Sequence, residues 1–259
     1  MTITIKQIEH AKISKPILIA GLPGIGNVGK IAVDFIIDSL MAKKIFEIHS
    51  YNIPNAVFVN EKNLVELPSM DMFYKKVNGI DILLLAGDIQ PIDEAACYEF
   101  CDKILDLVEK FNVREVITLG GIGLPNEPNE PRVYCTGSNK NIIDKYKSKD
   151  LSNNIYGVVG PIIGVTGVLV GLAGRRKISA LSILAETFGH PAYVGIKSAR
   201  AILKILNEKF KLKLNFKVLD EEVTEIEKEM KTKISQIGKL AKKATQRGEE
   251  KPAKMNYIG

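Results

Sequence analysis

Short runs rich in apolar and β-branched residues alternate along the chain with longer segments whose apolar residues recur at helical spacing. The short runs predict strands at residues 16–20, 44–51, 56–59, 81–86, 115–119, 132–136 and 192–195. The longer segments predict helices at residues 29–41, 93–111, 164–174, 179–187 and 198–209. Strands that alternate with such helices form a parallel sheet covered on both faces. The pattern therefore predicts an α/β fold, a three-layer sandwich around a mostly parallel central sheet.

The two most apolar of these strands run straight into glycine or aspartate, in ILLLAGD and EVITLGGIG. Functional loops of parallel sheets lie at the carboxyl ends of the strands. We therefore expect Gly87, Asp88, Gly120, Gly121 and Gly123 to lie near the glycines that follow the first predicted strand. Either a ligand cleft or a set of tight turns, for which glycine is the default residue, explains these positions.

The carboxyl-terminal part of the chain has a different pattern. Acidic residues give way to basic residues along it, which complements a helix dipole, and apolar residues recur every three or four positions. These features predict a helical extension at residues 219–245, after a globular domain of residues 1–218. Residues 246–259 are mostly polar and contain Pro252, which predicts a flexible tail.

Composition narrows the classes of function. A chain of 259 residues that is 46% hydrophobic can bury one large core. Its net charge of +6 is mild and its lysines alternate with acids, so no nucleic-acid partner is indicated. Its three cysteines and three histidines lack zinc-binding spacing, and we expect neither a metal nor another cofactor. An odd cysteine count without a secretion signal favours reduced thiols and a cytoplasmic location.

The segment GVVGPIIGVTGVLVGLA, residues 157–173, is apolar enough to raise the question of a membrane span. It contains five glycines and Pro161, and basic residues follow it directly. It also falls short of about 18 uninterrupted apolar residues. We therefore expect a buried turn and helix here and no association with a membrane.

The stretch ILIAGLPGIGNVGK matches a dinucleotide fingerprint through Gly24, Gly26 and Gly29, and nearly matches a P-loop ending in Lys30. The dinucleotide pattern requires an acid at the end of the second strand, where HSYNIP has none. The P-loop pattern requires a hydroxyl where Ile31 stands. The sequence therefore favours a structural role for the glycines. A nucleotide- or nucleoside-binding enzyme that uses this loop is the alternative.

Asp88, Glu186 and His190 are the candidate catalytic residues. The chain contains no G-x-S-x-G elbow, and no serine or cysteine has a recognisable nucleophile context. We therefore favour structural roles for all three side chains and expect no catalytic activity.

Two separated segments carry a family resemblance. GNVGKIAVDFIIDSL resembles the first-helix signature of the proteasome-assembly-chaperone family. GVLVGLAGRRKISALSILAETFGHPAYVGIKSARAILKIL resembles a second region of that family, which includes a small strand ending in L-A-E-T where the spacing alone predicts a helix. The resemblance spans roughly residues 16–207, and two matches in the same order are more specific than either glycine pattern.

The resemblance is to archaeal-type members and implies a non-enzymatic protein with a fold like that of nucleoside phosphorylases. It implies homo-oligomers of four or five copies that bind the α-ring of the 20S proteasome.

Family members that bind the proteasome often end in a hydrophobic residue, tyrosine and any residue. Here Tyr257 is third from the end, followed by Ile258 and Gly259. This one-residue shift moves the terminal carboxylate by about 3.5 Å relative to the tyrosine. An aromatic and an aliphatic residue beside a free carboxylate still form a peptide-recognition unit. We therefore expect these three residues to bind the partner, either proteasome α-subunits or an adaptor protein.

Overall fold

The computed structural model describes residues 3–91, 93–155, 157, 160–217 and 219–221. Its strands there are β1 (Ile3–Gln7), β2 (Ile17–Ala20), β3 (Lys43–Ser50), β4 (Phe58–Val59), β5 (Val65–Glu66), β6 (Met70–Val77), β7 (Ile80–Gly87), β8 (Glu115–Leu124), β9 (Val133–Gly137) and β10 (Ala180–Phe188). Its α-helices there are α1 (Val28–Leu40), α2 (Glu94–Glu109), α3 (Lys140–Tyr146), α4 (Val165–Arg175) and α5 (Ile196–Phe210). A 3₁₀ turn at Ile25–Asn27 precedes α1.

The chain divides into two compact units, residues 1–215 and 216–259. The first unit contains all of these strands and helices. In the second unit, residues 216, 217 and 219–221 are described and are helical. The predicted helix at 219–245 lies almost wholly outside the described residues, and the predicted tail at 246–259 lies entirely outside them. Both stay predictions.

Within the described residues, eight strands form one sheet in the order β1-β3-β6-β7-β2-β8-β10-β9. The four central strands, β7, β2, β8 and β10, run parallel, whereas the strands on either side pair antiparallel. Helices α1 and α5 pack on one face of the sheet and α2 and α4 on the other. The predicted three-layer α/β sandwich is therefore confirmed, with the parallel strands at its centre.

The central strands are apolar along their length because helices cover both faces. All four residues of β2, with the sequence ILIA, are buried. Leu18 lies in a core cluster with Phe100 of α2 and Leu169 of α4. Successive strand side chains point to opposite faces, so Ile17 and Ile19 pack on the other side. The core therefore forms two layers, one on each face of the sheet.

The prediction of a helix at residues 179–187 is wrong, because strand β10 forms there. It pairs in parallel with β8 and antiparallel with β9. Its residues are buried from Ala180 to Thr187, so apolar residues occur at both alternating and helical spacing. Periodicity alone does not distinguish a buried strand from a buried helix in such a short run. The small strand that the family resemblance implied is the one that forms.

Other segments also differ from the sequence pattern. Residues 192–195, predicted as a strand, form a turn and a short connection before α5. The pattern did not predict β1, β6 or α3. Strand β6 mixes apolar and charged residues in MDMFYKKV, and α3 spans only seven residues, so neither gives a clear periodic signal.

The apolar segment at residues 157–173 includes most of α4, which confirms the predicted helix, but the prediction that the turn is buried is wrong, because Gly160, Pro161 and Ile163 before the helix are exposed. Leu169 and Ala173 of this helix are buried in the core cluster. Among the described residues, no helix combines the length and the hydropathy needed to cross a membrane.

Candidate functional site

The residues that the sequence pattern placed at the carboxyl ends of the parallel strands lie close together in the structure. Gly121 of β8 lies so close to the glycine-rich loop that a Cβ atom on it would stand 2.4 Å from the Ile25 carbonyl oxygen. Asp88, directly after β7, forms an ion pair with Lys30 of α1. The predicted proximity of these segments is thus confirmed.

Two glycines bring α1 into close contact with the sheet. A Cβ atom on Gly29 would lie 2.3 Å from the backbone oxygen of Leu119 in β8. A Cβ atom on Gly21 would lie 2.0 Å from the backbone oxygen of Gly29. Backbone atoms in a close-packed interior have little room to move aside, so the contact requires glycine at both positions. Close packing therefore explains Gly29 without a ligand.

The middle of the glycine-rich loop is fixed by its conformation and by one hydrogen bond. Gly26 has a φ of 61°, in the left-handed region, and its carbonyl accepts from the Gly195 N–H at 2.8 Å. A Cβ atom on Gly26 would lie 2.7 Å from the hydroxyl oxygen of Thr187. Gly24 is extended and has open space where a Cβ atom would stand. The fold therefore requires glycine at Gly26 but not at Gly24.

Lys30, the cation of the P-loop-like pattern, is paired with two carboxylates. Its Nζ lies 2.9 Å from Oδ2 of Asp34 and 3.4 Å from Oδ1 of Asp88. The other Asp88 oxygen accepts from the backbone N–H and the hydroxyl of Ser69, both at 3.0 Å. Burial alone would lower the pKa of Lys30, but the two carboxylates raise it above its ordinary value. Burial alone would raise the pKa of Asp88, but Ser69 and Lys30 hold it below its ordinary value.

Glu186 is buried in β10 and its carboxylate is surrounded by donors. Nη2 and Nε of Arg132 lie 2.8 Å and 3.0 Å from Oε1, and the Arg132 N–H donates to Oε2 at 3.2 Å. The Tyr134 hydroxyl donates to Oε1 at 3.2 Å. Burial alone would raise the pKa of Glu186, but these donors hold it below its ordinary value. The ionised carboxylate therefore fixes β9 and the segment before it to β10.

His190 is exposed in the loop after β10. Its ring stacks on Phe188 with centroids 5.7 Å apart, and its Nδ1 accepts from the Ala192 N–H at 3.2 Å.

Three strand spacings, about 14 Å in total, separate the ends of β7 and β10. Asp88 and Glu186 therefore lie in different parts of the edge, and the catalytic candidates do not share one site.

The cysteines belong to the core. Cys97, Cys101 and Cys135 are buried free thiols. Cys97 and Cys101 lie one turn apart on α2 and join the core cluster beneath the sheet. In the part of the chain that the structure describes, no group of three or more His, Cys, Asp or Glu side chains could hold a metal ion.

The sequence pattern predicted a strand at residues 56–59, which includes β4, but it did not reveal β5 or the β4–β5 hairpin of residues 51–67. The hairpin connects β3 to β6, and Val59 pairs with Val65 across it. Met70, the first residue of β6, pairs with Gly87, the last residue of β7. The hairpin therefore leaves the sheet at the carboxyl ends of the parallel strands. The signal in the sequence is the polar NEKN between the apolar pairs FV and LV.

The predicted partner-binding residues Tyr257, Ile258 and Gly259 lie outside the described residues. Their assignment therefore stays a prediction from the sequence and the family resemblance.

Comparison with known sequences identifies the family of the chain. The sequence model of the PAC2 family matches residues 18–234. This range covers most of the chain and includes the glycine-rich loop, the hairpin and Glu186. The chain therefore belongs to the PAC2 family, and its recognition as a homologue of proteasome-assembly chaperones is confirmed.

Solved structures share the fold. PbaB of Pyrococcus furiosus, described as an archaeal proteasome activator, is 31% identical with a TM-score of 0.81, over 89% of this chain and 98% of that one. PbaA of the same organism, described as an archaeal homologue of proteasome-assembly chaperone, has a TM-score of 0.74. It is 23% identical over 95% of this chain and 98% of that one, which shows the fold alone. Protein MJ1210 of Methanocaldococcus jannaschii is 27% identical over 100% of this chain and 97% of its own length.

Proposed function

We propose that this chain is a non-enzymatic, oligomeric proteasome-assembly-chaperone homologue that binds a multisubunit partner through its C-terminal tails. The partner is the α-ring of the 20S proteasome or an adaptor for it. The observation that carries the proposal is the 31% identity, over 89% of the chain, with PbaB, which is described as an archaeal proteasome activator.

The geometry at the carboxyl edge argues against a catalytic role for the candidate acids. A general acid or base has to reach the reacting group, and its pKa works best near the working pH. Asp88 is instead held by Lys30 and Ser69, and Glu186 is held by Arg132. The pKa of each carboxyl lies below its ordinary value. We infer that both side chains stabilise the fold.

Each tail delivers Tyr257, Ile258 and the carboxylate of Gly259 to a pocket on the partner. The side chains fill apolar sites, while a lysine or backbone N–H groups bind the carboxylate. One tail alone binds weakly, because ordering a flexible segment consumes much of its interaction free energy. Several tails on one symmetric body raise the apparent affinity by about 10²–10⁴ when two or more engage together. Assembly of four or five copies is therefore part of the mechanism.

We also place the protein in the cytoplasm. Its three cysteines are buried as free thiols, the state that a reducing compartment maintains. We infer that its proteasome partner is in the cytoplasm as well.

A pull-down from the native extract tests the proposal. The baits are the full chain and a chain that ends at Lys254, and mass spectrometry identifies the bound proteins. We expect proteasome subunits or an adaptor with the full chain and their loss with the shortened one. Asn256→Ala is the matched control, because it alters the tail but keeps its last three residues. Equal recovery of the same partners by the full and shortened chains would rule out the tail mechanism.

A further inference from the structure

The β4–β5 hairpin exposes large apolar side chains on both of its faces. Among the described residues, the exposed ones within it are Tyr51, Val57, Phe58, Val59, Leu64, Val65 and Leu67. Tyr51 is 95% exposed and Leu67 is 79% exposed. Single apolar residues on a surface are ordinary, but a group of this size marks an interaction surface.

Both faces of the hairpin are uncovered. Phe58 and Val59 are neighbours on β4, so their side chains point to opposite faces, and both are exposed. Strands β4 and β5 are two residues long and, within the described residues, pair only with each other. A two-stranded hairpin is at best marginally stable alone in water. It therefore requires another surface to cover it.

The hairpin is nevertheless fixed at its turn and at its base. The Asn60 side-chain oxygen accepts from the N–H groups of Lys62 and Leu64, both at 3.0 Å. The Asn60 amide donates to Glu66 at 2.7 Å. At the base, Ser69 donates to the ion-paired carboxylate that follows β7. A hairpin held in this way loses little conformational entropy when it is covered.

A second group of exposed apolar side chains lies at the same edge of the sheet. Ile25 is 50% exposed and Ile163 is 85% exposed. Gln90 joins the two segments, because it donates to the Pro23 carbonyl at 2.6 Å and accepts from the Val165 N–H at 3.3 Å. One chain thus presents both a projecting apolar hairpin and an apolar edge beside it.

We propose that residues 51–67 are the contact between copies of this chain, with the hairpin of one copy packed against a second copy. The inference rests on the oligomeric part of the proposed function and names the surface that it uses. The exposed apolar side chains offer on the order of several hundred Å², which approaches the about 800 Å² that each partner buries in a stable interface.

Two considerations favour a second copy of this chain over a different protein as the partner: the small charge of the hairpin and the need to cover its apolar side chains at all times. Residues 51–67 carry Glu61, Lys62 and Glu66 as their charged side chains, so two copies meet with little repulsion. A transient partner would leave the apolar hairpin uncovered whenever it dissociated, and an uncovered hairpin of this kind promotes aggregation. A second copy is present wherever the chain is present and covers the hairpin continuously.

The mass of the particle in solution, measured by light scattering during size exclusion, tests this contact. We expect the wild-type protein at a multiple of the 28.6 kDa chain mass. The double variant Val59→Lys with Val65→Lys places charges on both cross-strand partners, and we expect fewer copies per particle at the same concentration. Tyr98→Lys is the matched control, since Tyr98 is also an exposed aromatic residue but lies on α2. It should keep the wild-type mass.

Circular dichroism verifies that each variant is folded. If the double variant unfolds, Tyr51→Lys with Leu67→Lys tests the same surface outside the paired strands. A folded hairpin variant with the wild-type mass overturns the inference.

The same samples separate this inference from the tail mechanism. The chain that ends at Lys254 should keep the wild-type mass while losing its partner. If that chain binds the partner as the full chain does, the tail mechanism fails and the hairpin contact stands. If the wild-type protein is itself monomeric, the hairpin contact and the oligomeric part of the proposed function both fail.

Discussion

The Nζ atom of Lys30 lies 3.4 Å from Oδ1 of Asp88, which joins the first turn of α1 to the end of β7. The lysine of a nucleotide-binding pattern and the aspartate of a catalytic hypothesis are thus ion-paired within the fold, with Asp34 as a second partner of the lysine. Because Asp88 also accepts from Ser69, the ion pair connects α1 to the base of the β4–β5 hairpin. One network therefore joins helix α1 to the β4–β5 hairpin at this edge of the sheet.

The variant Asp88→Ala should loosen the base of the hairpin. It removes the acceptor of the Ser69 N–H, and the loss of a hydrogen bond worth about 1 kcal/mol corresponds to about fivefold faster amide exchange. Hydrogen exchange measured by NMR at the Ser69 amide checks this result. Asp34→Ala is the control, because it removes a partner of Lys30 but leaves the Ser69 bonds in place. Unchanged protection of Ser69 in the Asp88 variant would refute the role of this carboxylate.

Gly29→Ala should destabilise the protein by about 1–3 kcal/mol, because the new methyl group overlaps the backbone oxygen of Leu119. Urea unfolding measures the change. Gly24→Ala is the matched control in the same loop, since open space surrounds that position, and it should change the free energy of unfolding by less than about 0.5 kcal/mol. Equal stability of the two variants would contradict the close-packing explanation.

Glu186→Gln should destabilise the protein by about 1–3 kcal/mol at pH 7, because it weakens several hydrogen bonds to a buried charge. The folded state lowers the pKa of Glu186. The stabilisation is therefore present above the unfolded pKa of about 4.3 and is lost as the pH falls through the lower folded-state pKa.

Urea unfolding between pH 3 and pH 7 measures this dependence. The difference between the wild-type protein and the Glu186 variant should shrink as the pH falls. The exposed Glu130→Gln should show almost no difference at any pH. A difference for Glu186 that persists unchanged at low pH would show that the charge is not responsible.

Nucleotides should not stabilise the protein. A ligand at 100 times its dissociation constant adds about 2.7 kcal/mol, which a thermal-shift series with ATP, GTP, NAD and NADP would detect. We expect no shift, since Lys30 is already paired and packing requires two of the three pattern glycines. A shift that disappears in Gly24→Val, a change that the open space tolerates, would instead support the alternative of a nucleotide-binding enzyme.

Much of the fold could be predicted because its centre is regular. Helices α1 and α2 have clear apolar periodicity and strand β2 is a short, wholly apolar run, and their order predicts the parallel sheet. The segment at 179–187 could not be assigned from periodicity, because burial on both faces removes the difference between strand and helix spacing. Family resemblance gave the right answer there because it compares whole motifs.

The site was harder to predict than the fold. The rule that loops gather at the carboxyl ends of parallel strands placed Asp88 near the glycine-rich loop. It could not reveal that Arg132 satisfies Glu186, because these residues are distant in sequence and meet only through the pairing of β9 with β10. The exposure of the hairpin was also hidden, since an apolar run in a sequence does not show whether the folded chain covers it.

We propose that an oligomer binds the α-ring of the 20S proteasome, or an adaptor for it, through its tails, and direct binding to the α-ring is the first of these to measure. The decisive measurement is the apparent affinity for purified 20S proteasome at fixed salt concentration, compared between the full chain and the chain that ends at Lys254. We expect the full chain to bind and the removal of Met255 to Gly259 to weaken binding by at least about tenfold, because several tails contribute together. A full chain that binds no more tightly than the shortened one would contradict direct binding through the tails.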